Sequence, residues 1–206
     1  HEIPQFLFRA DNWFMMLASE PEKTHHFLDQ LVEYHLNNLE KYLSAVGEYI
    51  DVIQFGDDLG MQTGPQISKK MYDTFLKPRH SILWNKAKKL AKVKVMLHCC
   101  GGVYPLMPSF IEAGLDIINP VQTTCKDMEA ERLKREFGKD MVFWGGGCNT
   151  RDVLGVGTPQ QIAEDVRERV RILAPGGGFV FQQIHNIMAN VPPENIEAMF
   201  QAIHTA

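Results

Sequence analysis

Lys92-Val93-Lys94-Val95-Met96-Leu97-His98-Cys99-Cys100-Gly101-Gly102 reads as a strand that ends in metal-ligand chemistry and then turns on two glycines. Val93, Val95 and Leu97 share one parity; Met96, His98 and Cys100 share the other. Alternate residues of a strand face opposite sides of the sheet, so one face is aliphatic. The other face ends in an imidazole and a thiol ~7 Å apart along the strand. The C-terminal end of a parallel strand is where an α/β enzyme keeps its reactive groups. His98 and Cys100 are therefore read as two ligands of a zinc site.

Outward from this stretch the chain alternates. Pro21 to about residue 49 carries Leu28, Leu31, Val32, Leu36, Leu39, Leu43 and Val46 at helical spacing. Residues 51–56 form a short apolar strand followed by Asp57-Asp58. Residues 68–90 read as a helix that Pro78 kinks or splits. After the central strand come a helix over 103–113 stopped at Gly114 and a strand over 116–121 ending Asn119-Pro120. A helix over 127–137 and a strand over 141–144 follow, the strand running into Gly145-Gly146-Gly147-Cys148. Thr158-Pro159-Gln160-Gln161 opens the next helix with a capping box and a proline at its first position. A strand over 179–184, followed by His185-Asn186, and a helix over 192–203 complete the chain. Residues 1–19 are rich in aromatic side chains but show no clean period.

Five strands each followed by a helix imply a parallel sheet with right-handed crossovers. An open doubly wound sheet concentrates its chemistry at one switch point. A (β/α)8 barrel brings every strand end to one rim. Here reactive or polar groups end all five strands: Asp57, His98 with Cys100, Asn119, Cys148 and His185. That spread favours a TIM-type barrel. A complete barrel has eight strands and about 250 residues, and 206 residues supply about five βα units in a single domain, 1–206.

Net charge is -4, which argues against nucleic acid as a partner. The lysines at 86, 88, 89, 92 and 94 suit a helix C-terminus, where cations complement the dipole. No apolar run approaches the ~20 residues of a membrane span. His1-Glu2-Ile3-Pro4 carries no leader pattern, and adjacent Cys99 and Cys100 suit a disulfide framework poorly. A cytoplasmic location is expected, where clustered cysteines more often mean metal or catalysis.

Cys148, after three glycines at another strand end, is a candidate third metal ligand that a barrel would bring near Cys100. His185 is a possible fourth. The alternative is a packed core cysteine and a hydrogen-bonded histidine. Asp57 or Asp58 serves as a base, a metal ligand or a partner to one, or else as a loop cap. Asn119, Gln122, Gln183 and Asn186 are candidates to orient a substrate, since amides both donate and accept. The two triple-glycine runs fit neither dinucleotide nor P-loop patterns. Cys99, of the opposite parity, packs outward, and Cys125 receives no role.

Gly56-Asp57-Asp58-Leu59-Gly60, His98-Cys99-Cys100-Gly101, Asn119-Pro120-Val121-Gln122, Gly145-Gly146-Gly147-Cys148-Asn149-Thr150, Ala174-Pro175-Gly176-Gly177-Gly178-Phe179 and Pro193-Glu194-Asn195-Ile196 together resemble the uroporphyrinogen decarboxylase superfamily. Within it the chain is more similar to the cobalamin-dependent methyltransferases, which include methylcobalamin:coenzyme M methyltransferase. The resemblance runs from about residue 20 and implies the C-terminal three-fifths of a (β/α)8 barrel. It also implies that His98 and Cys100 bind zinc. A further cysteine follows the last strand in the coenzyme M branch, where this chain has His185. That departure leaves His98, Cys100 and Cys148 as the expected metal set, with Asp57 and His185 as catalytic candidates.

The function this resemblance implies is zinc-dependent methyl transfer between a small molecule (a thiol, methyl ether or methylamine) and a corrinoid. No Asp-x-His-x-x-Gly corrinoid signature is present, so methylcobalamin is expected on a separate partner protein. The rival is a metal-free decarboxylase acting on a porphyrinogen, which leaves the thiols at 100 and 148 unexplained. A third reading is a binding protein stapled by a closed four-ligand zinc.

Overall fold

The computed structural model describes residues 1–205. Its centre is a five-stranded parallel sheet: β1 Val52–Gly56, β4 Lys94–His98, β5 Ile117–Asn119, β6 Val142–Trp144 and β7 Phe179–Val180. The strands stand in the order β1-β4-β5-β6-β7. Each new strand is added beside the last, with no reversal of direction. A doubly wound sheet requires such a reversal. Repeated right-handed crossovers in one direction instead stack the helices on one face and leave the other for a lumen. The sheet is thus an arc of a (β/α) barrel.

The helical layer follows the chain. It contains α3 Pro21–Val46, α5 Lys77–Leu90, α6 Met107–Ala113, α7 Ala130–Phe137, α8 Pro159–Leu173 and α9 Pro193–His204. Contacts run α3 to α5, α5 to α6, α7 to α8 and α8 to α9. Each helix buries one stripe: Leu28, Val32, Leu39 and Leu43 on α3, and Ile162, Val166 and Leu173 on α8. The capping box at Thr158 and Gln161 is present, with Pro159 in the first turn. Gly114 ends α6 at a φ of 105°, as expected of a C-cap glycine.

Several features depart from the sequence reading. Residues 2–19 form two helices, α1 Glu2–Phe8 and α2 Ala10–Ser19. Residues 60–65 form a small antiparallel hairpin, β2 Gly60–Met61 with β3 Gly64–Pro65. The helix expected over 68–90 is divided into α4 Lys69–Met71, a π turn Tyr72–Leu76 and α5, so the break precedes Pro78. Finally, the central strand stops at His98, so Cys99 and Cys100 belong to the turn beyond it. No described helix is long and apolar enough to cross a membrane.

Two apolar cores result. The larger lies between the sheet and α2 to α7 and includes Trp13, Trp84, Val95, Leu97, Phe110 and Phe143. A smaller one, with Cys148, Leu154, Ile162, Val166, Met199 and Ala202, joins the segment after β6 to α8 and α9.

Candidate metal centre

The strand register sets the site. Gly56 pairs with His98, and His98 with Asn119, so three adjacent strands end level with one another. Asp57 and Asp58 follow the first of these ends. Its backbone continues the ladder, with Asp57 N–H donating to the His98 carbonyl at 3.0 Å. Asp58 then turns toward β4, where its Oδ1 accepts the Cys100 backbone N–H at 2.7 Å.

One donor atom from each of Asp58, His98 and Cys100 lies within 4.8 Å of the others. His98 Nε2 stands 3.5 Å from Cys100 Sγ. All three residues are half-buried, open enough to admit an ion and enclosed enough to hold one. Among the described residues this is the one such cluster of three. A carboxylate oxygen, an imidazole nitrogen and a thiolate sulfur form a mixed set that zinc accepts, and three protein ligands leave a fourth position for substrate or water. The donor set therefore fits zinc.

The Cys100 thiol is pushed up to about 12, first by burial and then by the negative charge of Asp58 beside it. Without a cation the site holds a thiol rather than a thiolate. A divalent ion reverses that balance, because a coordinating thiol is deprotonated.

The turn that carries Cys100 is held from three sides. Gly101 N–H donates to Gln122 Oε1. Gly102 N–H donates to the Met61 carbonyl at 2.8 Å. Gly101 has a φ of 90°, and a Cβ there would collide with the backbone of Gly60. The β2–β3 hairpin thus lies directly on the turn that carries Cys100, at a place where two glycines meet. Beneath it, Cys99 is fully buried, and its Sγ accepts the Leu59 N–H at 3.3 Å. Burial keeps this thiol protonated, far above its ordinary range.

The remaining sequence candidates fall in different places. Asn119 is 6% exposed. Its Oδ1 meets His98 Nδ1 at 2.7 Å, and its Nδ2 donates to the Trp144 carbonyl at 3.0 Å and Gln182 Oε1 at 3.1 Å. That amide is committed inside the protein rather than offered to a substrate. Gln122, likewise assigned to substrate, braces the Gly101 turn. Gln183 is half-buried, and His185 and Asn186 are exposed on the segment after β7. All three lie outside the trio.

Asp57, a catalytic candidate by sequence, is 6% exposed. Its Oδ1 contacts the backbone nitrogens of His1 and Glu2 at 2.7 and 2.8 Å, and its Oδ2 meets His80 Nε2 at 3.2 Å. His80 in turn meets Tyr72 Oη at 3.0 Å and stacks on Trp84. This carboxylate anchors the end of β1 rather than facing the rim. Cys148 also stands apart from the trio. It is fully buried in the smaller core, and its thiol is raised to about 12 by burial and by the negative charge of Asp165. The sequence pointed to Cys148 as third ligand; the structure groups Asp58, and not Cys148, with His98 and Cys100.

Asp58 was visible only as one of two adjacent carboxylates, and the turn decides which one reaches Cys100. Gln182 was missed in favour of Gln183, its neighbour of opposite parity. His80 carried no sequence signal beyond its helix.

The family model for uroporphyrinogen decarboxylase (URO-D) matches residues 7–206. The chain belongs to the uroporphyrinogen decarboxylase family. No curated protein matches it by sequence. Among solved structures, a methyltransferase from Methanosarcina mazei superposes with a TM-score of 0.76 at 18% identity. The match covers 99% of this chain and 56% of the other. At that identity the likeness concerns the fold, and the chain spans little more than half the length of that structure. The family barrel accounts for the monotonic strand order and for the placement of His98 and Cys100 at its C-terminal rim.

Proposed function

We propose that this uroporphyrinogen decarboxylase-family chain carries the zinc site of a methyltransferase that moves a methyl group between a small molecule and a corrinoid held on a separate protein. The observation that carries the reading is the convergence of Asp58, His98 and Cys100 at one rim. The fold likeness to a methanogen methyltransferase is consistent with it.

Zinc held by those three side chains supplies Lewis acidity: it lowers the pKa of a thiol or supports a departing oxygen or sulfur. The chain's own residues set the conditions. Asp58 and Cys100, both anionic once the thiol proton has left, offset the charge of a divalent ion, so a substrate thiolate keeps its nucleophilicity. In the thiol direction a methylcorrinoid on the partner protein would supply the methyl group that the sulfur takes, and its cobalt would keep the electron pair of the broken cobalt–carbon bond. Gln122 and the β2–β3 hairpin hold the Cys100 turn still while this happens. His185, exposed after β7, is available to meet substrate at the same end of the strands.

The test joins metal analysis to turnover. Protein purified without added metal should hold about one zinc per chain, the stoichiometry of a single site. It should transfer methyl from methylcobalamin to a small thiol, and both properties should fall together in Cys100→Ser. Well-folded protein that binds no zinc would sink the metal reading.

A porphyrinogen decarboxylase is the second reading, favoured by the description of the matching family model. It predicts decarboxylation without zinc, and activity that survives Cys100→Ser.

A further inference from the structure

We propose that Asn119 is a positioning residue that fixes the tautomer of His98, so that the ring presents the Nε2 lone pair to the metal position. The proposal rests on the reading of His98 as a metal ligand and deepens it.

The argument begins at Trp144. Its backbone carbonyl can only accept, so the Asn119 atom 3.0 Å away must be the amide nitrogen. The orientation of the Asn119 amide follows without reference to His98. Its second N–H goes to Gln182 Oε1 at 3.1 Å, which uses both donors. Asn119 Oδ1 is then the atom left facing His98 Nδ1, at 2.7 Å. An amide oxygen accepts only, so Nδ1 must carry the hydrogen. In a neutral imidazole the other nitrogen is then the acceptor. That nitrogen, Nε2, is the one 3.5 Å from Cys100 Sγ. Three strand ends and the segment after β7 thereby act in series: Trp144 and Gln182 orient Asn119, and Asn119 orients His98. The register that sets Asn119 level with His98 makes the contact possible. Asn119 is 6% exposed, so water does not compete for it.

A metal-ligating imidazole whose other nitrogen donates to a fixed acceptor binds more tightly, and loss of such a partner typically costs 10–100-fold in metal affinity. The decisive measurement is a long-range proton–nitrogen correlation spectrum of the imidazoles in the metal-free chain. It is recorded at about pH 8, above the ordinary imidazole pKa of about 6.5, and His98 is identified by the signals lost in His98→Gln. The expected result is a proton on Nδ1 of His98 in the parent. Asn119→Leu should lose that preference and bind zinc about 10–100-fold more weakly. Asn119→Asp keeps an acceptor facing Nδ1 and should keep the tautomer, although it leaves the Trp144 carbonyl without a donor. A parent with the proton on Nε2 would overturn the proposal, as would an Asn119→Leu protein that retains both tautomer and affinity. Because the spectrum needs no metal, it separates the two readings. Nδ1 protonation in a protein that binds no zinc would uphold the lock on the ring and refute the metal centre.

Discussion

Asp58 reaches across 42 residues of sequence to accept the Cys100 backbone N–H at 2.7 Å. Beyond the effect of burial, the charge of the same carboxylate raises the Cys100 thiol. One side chain therefore ties two strand ends together and makes the site's resting state a protonated one. The two roles are separable by substitution, because only the second depends on charge.

Asp58→Asn keeps a carbonyl oxygen for the Cys100 N–H and discards the charge. Its unfolding free energy should stay within about 1 kcal/mol of the parent, while zinc affinity falls at least tenfold. Asp58→Ala leaves that half-buried N–H without an acceptor and should lose a further 1–3 kcal/mol at most, roughly the cost of an unsatisfied group. Denaturant titration of the metal-free proteins beside zinc competition assays distinguishes the two. Equal zinc affinity in parent and Asp58→Asn would remove Asp58 from the ligand set.

Cys148 is a test in the opposite sense. Packed among Leu154, Ile162 and Met199, it contributes to the core between α8 and α9. Cys148→Ala should keep about one zinc per chain. It should lose about 1–2 kcal/mol through the small cavity left behind, while Asp165 keeps the Asn149 N–H and Arg169. Loss of zinc with unchanged stability would restore Cys148 as a ligand.

The contrast between Cys148 and Asp58 marks where sequence reasoning stops. Apolar periodicity located the helices α3 to α9 and the five strands of the sheet, because burying one face is what each element does. The rim depends instead on turn directions, which periodicity does not encode. Gly145 and Gly146 adopt φ values of 111° and 81°, and that turn sends Cys148 away from the rim. Asp57 and Asp58 alternate across the end of β1, and only the hairpin after them shows which one turns to Cys100. That hairpin was itself invisible, since strands of two residues carry no period. The helices over residues 2–19 were obscured for another reason: they bury Trp13 and Leu17 while Phe6, Leu7 and Met15 stay exposed, so no single apolar face exists. The last strand was overestimated because residues after Val180 keep contact with the segment after β6, through Gly147 N–H to the Gln182 carbonyl at 2.9 Å, outside the regular ladder.

Gly101→Ala tests whether the hairpin holds the Cys100 turn. Its φ of 90° is strained for alanine, and the new Cβ meets the Gly60 backbone. The strain alone costs about 1–3 kcal/mol. The expected result is a loss of at least that size in urea unfolding, with weakened zinc binding. Gly64→Ala, at a φ of 131° but with open space around its Cβ, should cost stability without weakening zinc. Comparable losses of zinc affinity in both variants would show that strain anywhere in the hairpin suffices, and that the Gly60–Gly101 contact has no special part.

The raised Cys100 thiol makes zinc binding a proton-releasing event. The free site carries its proton at any pH well below about 12, and the bound site requires the thiolate. Raising the pH removes the competing proton, so apparent affinity should climb about tenfold per pH unit. Cys100→Ser, which leaves His98 in place, separates the thiol from the imidazole as the source. Calorimetry in buffers of differing ionisation enthalpy should report about one proton released per zinc. In Cys100→Ser that proton and the pH slope should both vanish, while in Cys148→Ala both should persist. A flat pH profile in the parent would mean that Cys100 is already ionised in the free protein, and that its burial beside Asp58 does not govern the site.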